Sequence, residues 1–293
     1  MSNADALRDQ YIELLKRSLL DDLYIENEAR IVLMLHSLVN GIPIEPGHLS
    51  GIVREAHLMD LLRKTKEDGS TFRMKRKLPD GSWAPLPEMR NFTELSHTMI
   101  GRRRLDNLQT CVATVLREGV PGDLIETGIW RGGACIFMRG LLLAHHVEDR
   151  TVWCADSFDG VPAPSHPADA GFDLSKASLP VLAVSLEEVK ALFERYGLLD
   201  ERVQFLKGWF KDTLPSAPIE KLAVLRLDGD LYESTMDALQ PLYDKVSHGG
   251  FVVVDDYHSC PPCGQAVEEF RASRGIATPL QRIDEQAVYW RKD

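Results

Sequence analysis

Apolar positions in the first hundred residues recur at helical spacing. Leu7, Tyr11, Leu14, Leu15 and Leu19 share one face over 7–20, and Ile31, Val32 and Leu35 do the same over 28–38. A third helix is expected over 53–64. Between them, Gly41, Pro43, Pro46, Gly47 and Gly51 punctuate a turn-rich connection over 40–52. Residues 66–92 are polar and broken by glycine and proline, and the tract KLPDGSW reads as a hairpin turn. The rhythm changes from about residue 103. Leu105, Leu108, Cys111, Val112, Val115 and Leu116 mark an amphipathic helix. Short apolar runs at 123–127, 151–155, 203–207, 222–227 and 250–255 then alternate with helical stretches at 133–146, 185–196, 232–246 and 264–273. PLQRI (279–283) and AVYW (287–290) stand at hairpin spacing around Asp284, Glu285 and Gln286.

This alternation predicts an α/β fold built on a mostly parallel, doubly wound sheet, with the terminal hairpin adding antiparallel strands. The expected division is a helical N-terminal cap over 1–100 and the α/β domain over 101–293. In such sheets ligands bind beyond the carboxyl ends of the strands, where the strand order reverses. The informative residues should therefore follow strands.

Composition narrows the function. A net charge of −10 argues against a nucleic-acid partner, because phosphate contact needs a basic field. Arg102–Arg103–Arg104 and Lys75–Arg76–Lys77 read as solvated faces or loops. No apolar run reaches the roughly 18 residues of a membrane helix. The N-terminus mixes acids and bases early, unlike a signal peptide, so a cytoplasmic location is expected. Five cysteines do not read as a disulfide framework in such a chain. Cys260-Pro-Pro-Cys263 lacks a second ligand pair for zinc and a thioredoxin-like setting, and reads as a surface loop followed by a helix start.

Four motifs carry chemistry. Glu126-Thr-Gly-Ile-Trp-Arg-Gly-Gly133 follows a strand and opens a helix. Gly128 permits a tight turn, and Gly132 and Gly133 permit close approach of a ligand. The spacing is not GxGxxG, so the loop suits a nucleoside without pyrophosphate, with Glu126 placed to receive an ammonium group directly or through neighbouring backbone. Asp156 ends the next strand, where an acid can accept both ribose hydroxyls; Asp159 is a weaker candidate. Gly208 permits backbone access after the third strand, and Trp209 offers an aromatic face for adenine. Finally, LRLDGD (225–230) and VVVDDYH (252–258) each end an apolar strand in paired acids. Neighbouring strands ending this way would crowd Asp228, Asp230, Asp255 and Asp256 together, at a cost that a hard divalent cation such as Mg²⁺ removes. The competing explanation is that these acids cap helices at 231 and 257.

These motifs, with HTMIGRRRLDNL before them and AVEEF after, resemble the macrocin O-methyltransferase family over roughly 95–274. A shorter echo lies at 11–28. The resemblance implies a seven-stranded class I methyltransferase fold, S-adenosylmethionine as methyl donor, and a divalent metal. It places the metal on Asp228, Asp255 and Asp256 and the general base at Asp230. Thr98 and Met99 match contacts at the donor's methionine end; Trp130, Ser157 and Asp228 join Glu126, Gly128, Gly132, Asp156, Gly208 and Trp209 as donor-binding candidates. Where the family often has a Gly-Cys-Arg turn, this chain has Pro262-Cys263-Gly264.

The expected chemistry is transfer of the donor methyl to a hydroxyl of a small natural product, expected to be a sugar hydroxyl. Asp230 takes the proton, with His258 as a second candidate base. The alternatives are a catechol-type enzyme acting on phenols, a nicotinamide oxidoreductase, which the GIWRGG loop disfavours, and a non-catalytic binding protein on the same fold. No nucleic acid or membrane partner is expected. A homodimer is expected if the helical N-terminal part exchanges between protomers.

Overall fold

The computed structural model describes residues 3–70, 72–90 and 95–293. Residues 1, 2, 71 and 91–94, on which parts of the expected 1–100 cap and polar 66–92 tract fall, lie outside the described residues. The chain divides into two compact units, Glu13–Arg103 and Met1–Ile12 with Arg104–Asp293.

Four helices precede the first strand: α1 (Asn3–Leu19), α2 (Ile25–Asn40), α3 (Pro46–Ser50) and α4 (Ala56–Asp68). Ile25 and Ala29 of α2 close on Ile52 and on Met59 and Leu62 of α4 to form a small apolar core. A buried ion pair crosses it. Lys66 pairs with Glu28 and also donates to Ser96 Oγ at 2.9 Å, which is what lets an ammonium lie out of water. The 66–92 tract supplies an antiparallel hairpin, β1 (Arg73–Lys77) and β2 (Trp83–Arg90), with Lys77 opposite Trp83 around the KLPDGSW turn.

After α5 (Arg102–Arg117) come β3 (Asp123–Thr127), α6 (Gly133–Ala144), β4 (Val152–Asp156), α7 (Leu186–Arg195), β5 (Val203–Lys207), α8 (Phe210–Thr213), β6 (Leu222–Leu227), α9 (Tyr232–Leu242), β7 (Val246–Val254), α10 (Pro261–Ser273), β8 (Gln281–Arg282) and β9 (Val288–Arg291). The sheet has seven strands in the order β5-β4-β3-β6-β7-β9-β8. The four pairings among β5, β4, β3, β6 and β7 are parallel, and β9 runs antiparallel to both β7 and β8. This is the expected doubly wound class I methyltransferase sheet. Every residue of β6 is buried, as a strand covered on both faces requires.

Two boundaries differ from the sequence reading for local reasons. The helix expected to run to 246 ends at Leu242, because Pro241 disrupts its last turn, and β7 begins four residues early, at Val246. Helix α10 starts at Pro261 rather than 264. Two prolines read as loop residues occupy its first turn, where proline is favoured.

The sheet order reverses between β3 and β6, and the chain is tightest there. Gly128, just past β3, has φ +84°, and a Cβ on it would lie 1.8 Å from the Asp228 carbonyl oxygen. The Asp228 N–H in turn donates to Thr127 O at 2.9 Å. Alanine at 128 would require both an unfavourable φ and separation of the two strand ends. Gly128→Ala should destabilise the fold by about 3 kcal/mol, read from urea denaturation midpoints; an unchanged midpoint would show that the strand ends do not meet this way.

Candidate active site

Strands β6 and β7 run parallel with Leu227 beside Val254, so the residues that follow, Asp228 and Asp255, leave the sheet at one level. The Asp255 N–H donates to Leu227 O at 2.9 Å and holds that level. One carboxylate oxygen from each of Asp228, Asp255 and Asp256 lies within 4.8 Å of the others. An overlapping group joins Asp230, Asp256 and Cys260 within the same limit. Asp230 adopts φ +59°, a region that aspartate tolerates better than most residues. The four acids that the sequence singled out therefore do converge.

Capping does not explain them. The first N–H groups of α9, on Tyr232 and Glu233, donate to Asp169 at 2.7 and 3.2 Å. Asp169 is fully buried and comes from the 157–184 loop. No helix starts at 257, and the residue before α10 is Cys260.

Two arginines counter part of the charge. Arg226, 1% exposed, pairs with Glu126 and Asp255 and reaches Asp228 Oδ2 at 2.6 Å. It stands beside Glu126 in the β3–β6 register and shares a sheet face with Asp228, two residues on. Arg104 pairs with the other oxygen of Asp255 and with Asp284 at 2.7 Å. The reading of Arg102–Arg104 as a solvated run is therefore corrected at Arg104. Its position on α5 falls on the buried stripe of Leu105, Leu108 and Cys111, and burial is tolerated because two carboxylates meet it.

The neutralisation is incomplete. Burial, then Asp228 and Asp255, push Asp230 up to about 7. Burial pushes Glu126 up to about 7 against the pull of Arg226. Asp255 is raised by burial despite both arginines. Asp256 is driven well above the carboxylate range by burial and then by Asp230, Asp228 and Asp255. Its Oδ2 is buried with no hydrogen-bond partner among the described residues. Such an oxygen costs free energy unless something meets it, and oxygen donors grouped this closely fit a hard divalent cation.

The remaining candidates lie along the same edge or outside it. Glu126 is buried, its carboxylate taken by Arg226 and by the Cys135 thiol at 3.1 Å. Asp156 accepts the N–H groups of Ile129 at 2.8 Å and Phe158 at 2.7 Å, so it ties the loop after β3 to the loop after β4. Ser157 Oγ donates to Gly160 O at 2.6 Å. Gly208 donates to Asp156 O at 2.9 Å, bringing the end of β5 to the same place, and Trp209, 38% exposed, follows it. Trp130 donates from Nε1 to Val181 O at 2.9 Å, fastening the far end of the 157–184 loop. Gly132 opens α6 with φ +80°, and a Cβ there would meet Val189 at 3.0 Å. His258 is exposed, its ring edge-on to Tyr257, and it joins neither carboxylate group. Thr98, buried, and Met99 belong to the Glu13–Arg103 unit.

Sequence reasoning missed Arg226, Arg104, Asp284 and Cys260. One signal was available: Arg226 is the only charged residue in the apolar run LAVLRL, and a strand buried on both faces holds a cation only against acids. The Cys260–Cys263 reading is corrected too. Cys263 is 2% exposed in the core beside Leu239 and Val267, because it lies on the inner face of α10 rather than in a surface loop.

Comparison with known proteins identifies the family. The model of the macrocin-O-methyltransferase (TylF) family matches residues 8–292. The demethyldecarbamoylnovobiocin O-methyltransferase of Streptomyces niveus is 58% identical over 208 residues, 70% of this chain and 79% of that protein. The mycinamicin III 3''-O-methyltransferase of Micromonospora griseorubida is 46% identical over 269 residues, 90% and 96% of the two chains. The solved structure of the O-methyltransferase NovP superposes with a TM-score of 0.74 at 43% identity, covering 97% of this chain and 99% of that one. No described helix is long and apolar enough to cross a membrane. The chain belongs to the macrocin-O-methyltransferase family and is an S-adenosylmethionine-dependent O-methyltransferase.

Proposed function

We propose that the enzyme is metal-dependent and methylates a sugar hydroxyl of a natural product. One observation carries the metal: three carboxylates at the ends of β6 and β7 within 4.8 Å of one another, one of them with a buried, unpartnered oxygen. Asp228, Asp255 and Asp256 would hold the ion. When bound there, a divalent cation supplies a Lewis acid that lowers the pKa of an acceptor hydroxyl. The sugar acceptor is favoured by the relatives, among them a mycinamicin III 3''-O-methyltransferase and a rhamnosyl-tetracenomycin 4'-O-methyltransferase.

The chain's own residues do the rest. Asp230 takes the hydroxyl proton. A carboxylate lifted to about 7 is poised as a base near neutral pH. The loops after β3, β4 and β5, joined through Asp156, provide the donor site, with Gly128, Trp130, Gly132, Ser157, Gly208 and Trp209 along it. The roles of Thr98 and Met99 at the donor rest on the resemblance, and that of 1–100 as a cap rests on its helical spacing and turn-broken polar tract. Arg226 keeps Asp228 and Asp255 in place between donor and metal ends, since it bonds both acids and Glu126.

Asp230→Asn should retain donor binding in calorimetry and lose about 10²–10⁴-fold in kcat; unchanged turnover would reject Asp230 as base. EDTA should abolish turnover of glycosylated acceptors and leave donor binding intact, and turnover that survives chelation would sink the metal reading.

The pH dependence has a definite sign. Glu126 and Asp230, raised from about 4 to about 7, hold protons in the folded state that the unfolded chain releases earlier. Raised carboxylates of this kind cost stability as pH climbs through that window. A bound cation favours the ionised forms. The rise in Tm on adding Mg²⁺ should therefore grow between about pH 5.5 and about pH 8, measured by calorimetry; a rise that is flat or shrinking over this range would contradict the charge account.

Arg226→Met should cost about 3–5 kcal/mol in urea melts, because three acids lose a buried counter-charge. Mg²⁺ should restore part of that loss, and a cost within measurement error would remove Arg226 from this role.

A further inference from the structure

We propose that Asp230, Asp256 and Cys260 form a second cation site, one that selects soft divalent ions such as Cd²⁺ or Zn²⁺ over Mg²⁺. The Cys260 thiol donates to Asp230 Oδ1 at a sulfur–oxygen distance of 3.7 Å, and one ligand atom of each of the three residues lies within 4.8 Å of the others. A tetrahedral zinc ion with ordinary Zn–S and Zn–O lengths holds its sulfur and oxygen ligands about 3.6 Å apart. The sulfur–oxygen edge of such a site is thus already at its working length. Asp256 is common to both carboxylate groups, and its Oδ2, unpartnered among the described residues in a residue 8% exposed, is open to an ion in either.

Local structure fixes these groups before any ion arrives. The Cys260 N–H donates to Asp256 O at 2.9 Å, so Asp256 and Cys260 belong to one turn. Ser259 Oγ donates to Asp256 Oδ1 at 3.2 Å, engaging the oxygen other than Oδ2. Pro261 and Pro262 then set the first turn of α10, with Cys260 as its cap residue. Cys263 is not part of the group, so the CxxC spacing does not act as a ligand pair.

Softness separates this group from its neighbour. Asp228, Asp255 and Asp256 offer only oxygen, which suits Mg²⁺, whereas a thiolate favours Zn²⁺ or Cd²⁺. On binding, the S–H bond breaks, a metal–sulfur bond forms and the proton leaves to solvent; the carboxylates contribute lone pairs and release any proton they carry. The ion would occupy Asp230 and share Asp256. Its binding is tested apart from the proposed function, but its effect on catalysis rests on the roles that reading gives to Asp230 and Asp256.

The test is titration of CdCl₂ into the full-length, EDTA-treated and dialysed protein, following the ultraviolet charge-transfer band of a cadmium thiolate. Wild type and Cys263→Ser should saturate near one equivalent, and excess Mg²⁺ should leave the band in place. Cys260→Ser, checked for folding by far-ultraviolet circular dichroism, should bind at least about 10-fold more weakly, a loss seen even for groups that only support a metal ligand. Absence of the band in wild type, or its persistence in Cys260→Ser, would overturn the site and leave the proposed function standing. In the same samples Cd²⁺ should inhibit methyl transfer measured with Mg²⁺, reversibly by EDTA followed by fresh Mg²⁺. A cysteine-dependent band without inhibition would keep the site and count against the roles given to Asp230 and Asp256 in the proposed function.

Discussion

The site depends on one electrostatic constraint: too much buried carboxylate for the cations the chain provides. Glu126, Asp228, Asp230, Asp255, Asp256 and Asp284 act on one another at the carboxyl edge of β3, β6 and β7, and two guanidiniums, Arg104 and Arg226, stand among them. Charges out of water are tolerated only when paired or when protons neutralise them. Arg226 and Arg104 between them meet Glu126, Asp228, Asp255 and Asp284. Asp230 and Asp256 form no ion pair with a cationic side chain among the described residues, and Arg104 pulls on Asp256 only from a distance, against burial and three acids. Protonation is their remaining internal remedy, and the upward shifts of both are that remedy at work. A structure that served stability alone would gain by replacing one of these acids with an apolar residue.

The backbone makes the crowding unavoidable. Parallel strands in register deliver their next residues to the same level, and β6 and β7 are in register up to Leu227 and Val254. The reversal of strand order then brings the end of β3 against the end of β6, where Gly128 touches the Asp228 carbonyl. Donor loop and acid cluster thus share a wall. Arg226 bridges them, since one nitrogen serves both Glu126 and Asp228 while another serves Asp255.

Much of this was legible in the sequence because strand-end acids need only two facts, the strand and its neighbour. The run LAVLRL followed by Asp-Gly-Asp, and VVVDD, supplied the first fact. The alternation of strands and helices supplied the second. What the sequence concealed were partners whose meeting depends on tertiary packing. Arg104 lies 151 positions from Asp255, and no local pattern relates them. Cys260 looked like part of a surface loop because two prolines follow it, yet those prolines begin a helix, and its inner face buries Cys263. Asp169 was hidden for the same reason. It sits in a loop without periodicity, and its role as cap for α9 exists only because that loop returns to the helix start.

That last contact is among those that hold the 157–184 loop in place. The 157–184 loop is pinned near its end by Trp130, whose indole donates to Val181 O, and near its middle by Asp169 at the start of α9. Trp130 belongs to the loop after β3, and α9 begins two residues after Asp230. A buried aspartate spanning two backbone N–H groups is among the stronger uncharged-donor arrangements available, since its acceptor is ionised and the N-terminus of a helix favours negative charge. The loop with the least regular sequence is therefore fastened both to the loop after β3 and to the start of α9. Residues between those two anchors can vary while the anchors hold the loop after β3 and the start of α9 in fixed relation.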